Sequence, residues 1–240
     1  MIKKVYLIVF CISIVFIIYL VSVNSGRDHS KVSNINIEIV DSLENRFVNS
    51  DFVITKIRKY FKNQEILNIN QINRQGLENF VNNNSYILKS EVYLLTNNEI
   101  KVKVWQRTPL FRVFSKNGYY VDMKGEVFPL SKAYTKRVLI VTGKFSINFA
   151  LSKLYELCKF INNDDFFKNY ISQLYIKDKN NVIIIPTVGD YSIEMGNTDE
   201  FKVKLEKLRL FLKSSDKNAV WGKYKSLNLK YKKQIVCVKR

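Results

Sequence analysis

From Val5 to Val23 the chain holds nineteen positions that are apolar except for Ser13 and Ser22, with Lys3 and Lys4 directly before them. As a helix this run spans roughly 28 Å, close to the hydrocarbon thickness of a bilayer. The pattern predicts a transmembrane anchor over 5–23 behind a short cytoplasmic tail, residues 1–4. No second run of comparable length follows, so a single pass is expected. The competing reading is a cleavable signal peptide, with Val23-Asn24-Ser25 before Gly26 as a small-residue site. A signal h-region covers only ~7–15 residues, and the length favours the uncleaved anchor. Arg27 and Lys31 follow the run, so the flanking charge bias is slight. It favours the amino terminus inside and the bulk of the chain outside the cytoplasm.

After a polar linker, 24–33, Ile35, Ile37 and Ile39 alternate with Asn36, Glu38 and Val40 and predict a strand. Ser50 is placed as the cap of a helix whose apolar stripe is Val53, Ile54, Ile57, Tyr60 and Phe61. A more polar helix is expected over 70–82, packing through Ile72, Leu77, Phe80 and Val81. Strands follow at 86–95 and 99–105, joined by a turn at Asn97-Asn98. Strand, helix, helix, strand, strand gives an α+β sandwich over 34–106, two helices covering one face of a three-stranded sheet.

From 107 to 240 the pattern becomes richer in short strands. Tyr119 to Phe128 reads as a hairpin in which Asp122 bonds the backbone two residues on and Gly125 takes positive φ. A strand is expected at 138–141 and a helix over 148–162, packed through Leu151, Leu154, Tyr155, Cys158 and Ile161. Short strands are expected at 174–177, 182–185 and 191–195, the first two joined by a polar turn at Asp178 to Asn181. A helix is expected from near Thr198, with Asn197 as cap, Glu200 three residues on, and a stripe of Phe201, Leu205, Leu208 and Leu212. A last strand is read from Ser226 through Tyr231, running on through Ile235, Val236 and Val238. The second part is therefore a mixed β-sheet domain with flanking helices.

Composition changes this picture little. Of 240 residues, 47% are hydrophobic and 25% charged, ordinary for folded protein. The net charge of +18 is unusual, but the lysines are spread along the chain without forming one stripe. Solvated faces account for them first, anionic lipids or wall polymers second, and nucleic acid is not expected as a partner. Candidate chemistry is sparse. The only histidine, His29, falls in the linker. Cys158 and Cys237 read as buried thiols with no metal spacing. Asp122 reads as a turn residue, and the adjacent Asp164-Asp165 as a cap. No catalytic, cofactor or metal residue is assigned, and an envelope hydrolase acting on peptidoglycan is disfavoured.

The strand–helix–helix–strand–strand order directly behind an anchor resembles a POTRA domain. Arg107-Thr108-Pro109, then Tyr119-Tyr120-Val121-Asp122-Met123-Lys124-Gly125-Glu126-Val127-Phe128, resemble the junction of the bacterial division family FtsQ/DivIB. The stretch Asn228-Leu229-Lys230-Tyr231 is similar to that family's terminal "Asp-Leu-Arg-Tyr", with Asn for the acid and Lys for Arg. The Lys offers a point charge where Arg offers a fork. Membership implies a non-enzymatic scaffold of the inner membrane, concentrated at the division site and linking early and late division proteins. It implies FtsB-like and FtsL-like coiled-coil partners added as a strand at the terminal sheet edge, with Leu227, Leu229, Lys230 and Tyr231 as partner-binding residues. The alternative for those side chains is ordinary core and surface of a last strand. The alternative function is a POTRA-type envelope chaperone or translocation component holding extended clients.

Overall fold

The structure is a computed structural model that describes residues 12–19, 31–64, 67–214 and 222–240. Of the expected anchor only 12–19 falls among them, and these are helical. The rest of Val5–Val23, the linker through residue 30 and His29 lie outside the described residues. Among the described residues no helix is long and apolar enough to cross a membrane. The chain divides into two compact units. One takes the chain up to Val40 with Asn49–Trp105; the other takes Asp41–Val48 with Gln106–Arg240.

In the first unit, β1 (Asn34–Ile39), α1 (Ser50–Tyr60), a 3₁₀ turn (Ile69–Gln71), α2 (Arg74–Asn82), β2 (Ile87–Leu94) and β3 (Glu99–Gln106) follow in order. The sheet runs β1-β3-β2, with β1 parallel to β3 so that Ile35, Ile37 and Ile39 oppose Ile100, Val102 and Val104. Ile100, Val102 and Val104 are fully buried, as are Val53 and Ile57 of α1 and Leu77 and Val81 of α2. Each such side chain contributes about 1.5–3 kcal/mol by leaving water. The hairpin turns at Asn98, whose φ of 63° uses the left-handed region open to Asn.

Two boundaries differ from expectation. The cap of α1 is Asn49, not Ser50; its side chain accepts from the Phe52 N–H at 2.9 Å, while Ser50 is already helical. The helix expected over 70–82 is split, because Asn68 caps the 3₁₀ turn and Asn73 caps α2 through the Gly76 N–H. Two Asn side chains competing for the backbone interrupt what periodicity alone reads as continuous.

The second unit holds β4 (Pro109–Val113), β5 (Tyr119–Asp122), β6 (Val127–Pro129), β7 (Leu139–Gly143), α3 (Ile147–Phe149), a π-helical turn (Ala150–Leu154), α4 (Tyr155–Asn162) and α5 (Asp165–Tyr170). Then come β8 (Ile171–Asp178), β9 (Asn181–Pro186), β10 (Ser192–Gly196), α6 (Phe201–Ser214), β11 (Tyr224–Asn228) and β12 (Val236–Lys239). One nine-stranded mixed sheet results, in the order β12-β11-β10-β9-β8-β7-β4-β5-β6. Its register lines up Val113, Val141, Leu174, Ile184, Ile193 and Leu227 in one row across six strands. The row is buried in a core shared with Leu157 and Ile161 of α4, Phe167 of α5 and Leu205 and Leu208 of α6.

Here too expectation is corrected. α6 starts at Phe201, because Glu200 takes φ 50° and breaks the turn before it. Asn197 does not cap it. Its amide donates to Asp199, and its oxygens accept from Lys204 Nζ at 2.9 and 2.7 Å. Helix α5 was not anticipated, although Asp164 caps it as read, accepting from Phe166 and Phe167 N–H. Residues 41–48 join this unit through Phe47, whose ring meets Tyr120, Phe128 and Tyr134 edge-on at 5.7, 5.6 and 4.9 Å. Beside it Gln106, 2% exposed, accepts from Val48 N–H at 2.9 Å and donates to the Asn45 carbonyl at 2.7 Å.

Candidate functional site

The candidate site is the carboxyl-terminal end of the nine-stranded sheet. β11 is an interior strand, parallel to β10 on one side and antiparallel to β12 on the other. The sequence predicts one last edge strand from Ser226 through Tyr231 and on to Val238; in the structure it is two strands, and the edge is β12, Val236–Lys239. The physical reason is local. The Asn228 side chain accepts from Lys230 N–H at 3.0 Å, an Asx-type turn that ends the strand and sends the chain around to β12.

The four residues singled out in the sequence therefore separate into two kinds. Leu227 and Leu229 are fully buried; their side chains are core. Leu229 N–H donates to the Glu194 carbonyl at 2.9 Å. Lys230 and Tyr231 face solvent, Tyr231 52% exposed. Lys230 Nζ lies 2.9 Å from Glu194 Oε2, which also accepts from Asn228 Nδ2 at 3.2 Å. The Asn and Lys thus share one carboxylate. Gly196, at φ 77°, lets this happen, since a Cβ there would sit 2.9 Å from Lys230 Cγ.

On β12, Cys237 opposes Leu227 and is half-buried, its thiol pKa raised by desolvation. Val236 and Val238 oppose Asn228 and Ser226, and both are exposed. Arg240 closes the strand with an ion pair to Asp190 at 2.9 Å. Residues 222–240 carry seven Lys or Arg and no Asp or Glu, so this end of the sheet is cationic. The turn before β12 is gripped from α6: Lys207 Nζ donates to the Leu229 carbonyl at 3.1 Å, to Tyr231 O, and to Gln234 O at 3.3 Å. Desolvation lowers the pKa of that ammonium from the usual lysine value. Nothing in the spacing of Lys207 marked it, because its partners are backbone atoms 22 to 27 residues away.

The remaining acidic candidates are structural. Asp122, 2% exposed, accepts from Lys124 and Glu126 N–H at 2.8 and 2.9 Å and pairs with Arg107 at 2.6 Å. Gly125 closes this turn at φ 84°. Asp164 caps α5 and pairs with Arg209 of α6. Burial alone would raise its carboxyl, but the Arg209 hydrogen bond and the Phe167 N–H outweigh it and hold the pKa below the ordinary value. Both carboxylates are thus saturated by fixed donors. Among the described residues no group of three or more His, Cys, Asp or Glu side chains could hold a metal ion.

The first unit has the β-α-α-β-β order of a POTRA-like domain, and the second is a mixed sheet whose outermost strand among the described residues is β12. A sequence model of the POTRA-like domain matches residues 30–105. A model described as FtsQ/DivIB, C-terminal related, matches residues 108–238. The second match alone covers more than half of the chain, and the chain belongs to the FtsQ/DivIB family of bacterial cell-division proteins. No individual curated relative matches it.

Proposed function

We propose that this chain is a non-enzymatic divisome scaffold, anchored in the inner membrane through Val5–Val23. In this reading it links early and late division proteins at the septum and captures an FtsB-like, FtsL-associated coiled-coil partner by strand addition at β12. The observation that carries the docking reading is the contrast among sheet edges. An uncovered strand is a template for another chain unless something blunts it. At β6 the edge is three residues long and ends in Pro129. At β2 the carboxylate of Glu78 accepts the Val92 N–H at 2.8 Å, and Ser90 Oγ bonds Asn82 of the same helix at 2.9 Å. Ahead of β1, Val32 N–H donates to Leu67 O and Lys31 bridges Asn68. β12 carries exposed Val236 and Val238, no proline and a cationic surround.

Lys230 and Tyr231 would then flank the incoming strand, while Leu227 and Leu229 support it from within the core. A client-holding chaperone using the POTRA-like sheet would bind at its β1 or β2 edge, and at β2 Glu78 already takes the Val92 N–H. The test is retention of the host's FtsB-like protein by the full chain, wild type against Lys239→Pro; Arg240 N–H donates to Lys223 O, so by strand alternation the Lys239 N–H points away from β11. Proline is tolerated in an edge strand but removes its N–H. Loss of retention by a folded variant, with loss of its band at the division site, supports the reading. Equal retention, or a uniform envelope signal from the wild type during constriction, overturns it.

A further inference from the structure

We propose that Lys207 is the positioning residue of the docking edge: a cationic latch on α6 that fixes the turn between β11 and β12 and so holds β12 ready to receive a strand. The inference rests on the docking reading above and adds the residue that prepares the surface. An ammonium has three N–H donors and no acceptor. At Lys207 all three have a backbone carbonyl: Leu229 O at 3.1 Å, Tyr231 O, and Gln234 O at 3.3 Å. These carbonyls bracket the whole turn, from the last buried residue of the β11 side to two residues before β12.

The surroundings explain why a lysine is used. Between β11 and β12 the chain holds no acid, and its charged residues are Lys230, Lys232 and Lys233, so no carboxylate within the turn can pair with a cation. Lys230 is drawn off to Glu194, and Lys232 reaches only to 4.0 Å from Glu200. The carbonyl dipoles are the remaining negative ends, and the three N–H donors of one ammonium can satisfy three of them. β12 itself has four residues and a half-exposed face, too little buried apolar surface to hold its own position. A short terminal strand without such an anchor belongs to the low-stability end of a fold.

A latch has a signature distinct from core stabilisation. The full chain in detergent is compared with Lys207→Met, which keeps the apolar stem and removes the donors, and with Lys207→Gln, which keeps a shorter, neutral donor. Amide exchange across 229–239 is expected to rise at least tenfold in Lys207→Met and by less in Lys207→Gln, with β8 and β9 unchanged and the thermal midpoint nearly so. Capture of the FtsB-like protein should fall at least tenfold in parallel. Wild-type exchange rates across 229–239 in a folded variant would overturn the latch. So would faster exchange with undiminished capture. If Lys207→Met does not fold, Lys207→Gln is judged by the same criteria. A wild-type chain that captures nothing sinks the docking reading instead, a result that the exchange data alone cannot produce.

Discussion

Replacing Asp122 tests the turn that joins β5 to β6. Its carboxylate is 2% exposed and engages three donors: Arg107 Nη1 at 2.6 Å, Lys124 N at 2.8 Å and Glu126 N at 2.9 Å. Asp122→Ala strands the Arg107 charge, itself only 22% exposed, and leaves two backbone N–H groups without their acceptor. Breaking a buried pair by removing one partner costs about 3–5 kcal/mol, and each orphaned backbone donor adds about 1 kcal/mol or more where water cannot reach it. A loss of about 5 kcal/mol or more is therefore expected for Asp122→Ala. Asp122→Asn keeps an oxygen for the two N–H groups and forfeits only the charge, so about half that loss is expected. Urea unfolding of the two variants, with Arg107→Met and the double variant closing a cycle, measures both terms. The cycle should return a coupling of at least about 1 kcal/mol, as contacting charges do. If Asp122→Ala unfolds within about 1 kcal/mol of wild type, the turn does not depend on this carboxylate and the reasoning fails.

Three further outcomes follow from the same geometry. Glu78→Ala uncovers the Val92 N–H at the β2 edge; it should cost about 1–2 kcal/mol and produce concentration-dependent self-association in light scattering, whereas a variant that stays as monomeric as wild type denies the cap a blocking role. Asp164 has its pKa lowered in the folded protein, so its contribution is present above the unfolded carboxylate pKa and is lost as pH falls through the folded value; unfolding free energies of wild type and Asp164→Asn should converge as pH falls, and a constant gap down the acid limb would contradict the ion pair with Arg209. Phe47→Ala removes a ring that meets three others and should cost about 3–5 kcal/mol by calorimetry; a loss below about 1 kcal/mol would mean that residues 41–48 are not held by that cluster.

The elements of both units were legible where one face of a strand or helix is buried by near neighbours. Ile35, Ile37 and Ile39 alternate in the chain and stand opposite Ile100, Val102 and Val104 in the sheet. Leu205, Leu208 and Leu212 are spaced for a helix face and are buried on one. What escaped the pattern depends on atoms far apart in sequence or on competition for the same backbone group. Asn68 and Asn73 cut one expected helix into two, and Glu200 at positive φ delays another. The segment Asp41–Val48 has the composition of a loop. Its assignment to the second unit depends on Phe47 meeting rings some 73 to 87 positions onward.

The candidate site shows the same division at its sharpest. Leu227 and Leu229 alternate as an amphipathic strand should, but alternation reports only that one face is buried. It is the same for an interior strand and for an edge, because both bury one side of the pleat. The distinction is made by groups the alternation does not contain: the Asn228 oxygen on Lys230 N–H, the Glu194 carbonyl on Leu229 N–H, and Lys207 on three turn carbonyls. These end β11, fold the chain back and place β12 outermost. Of the residues picked from the sequence, Leu227 and Leu229 are buried and Lys230 and Tyr231 are exposed. The two leucines belong to the core, and the outermost strand of the sheet is Val236 to Lys239, which the sequence pattern reads as the continuation of one strand.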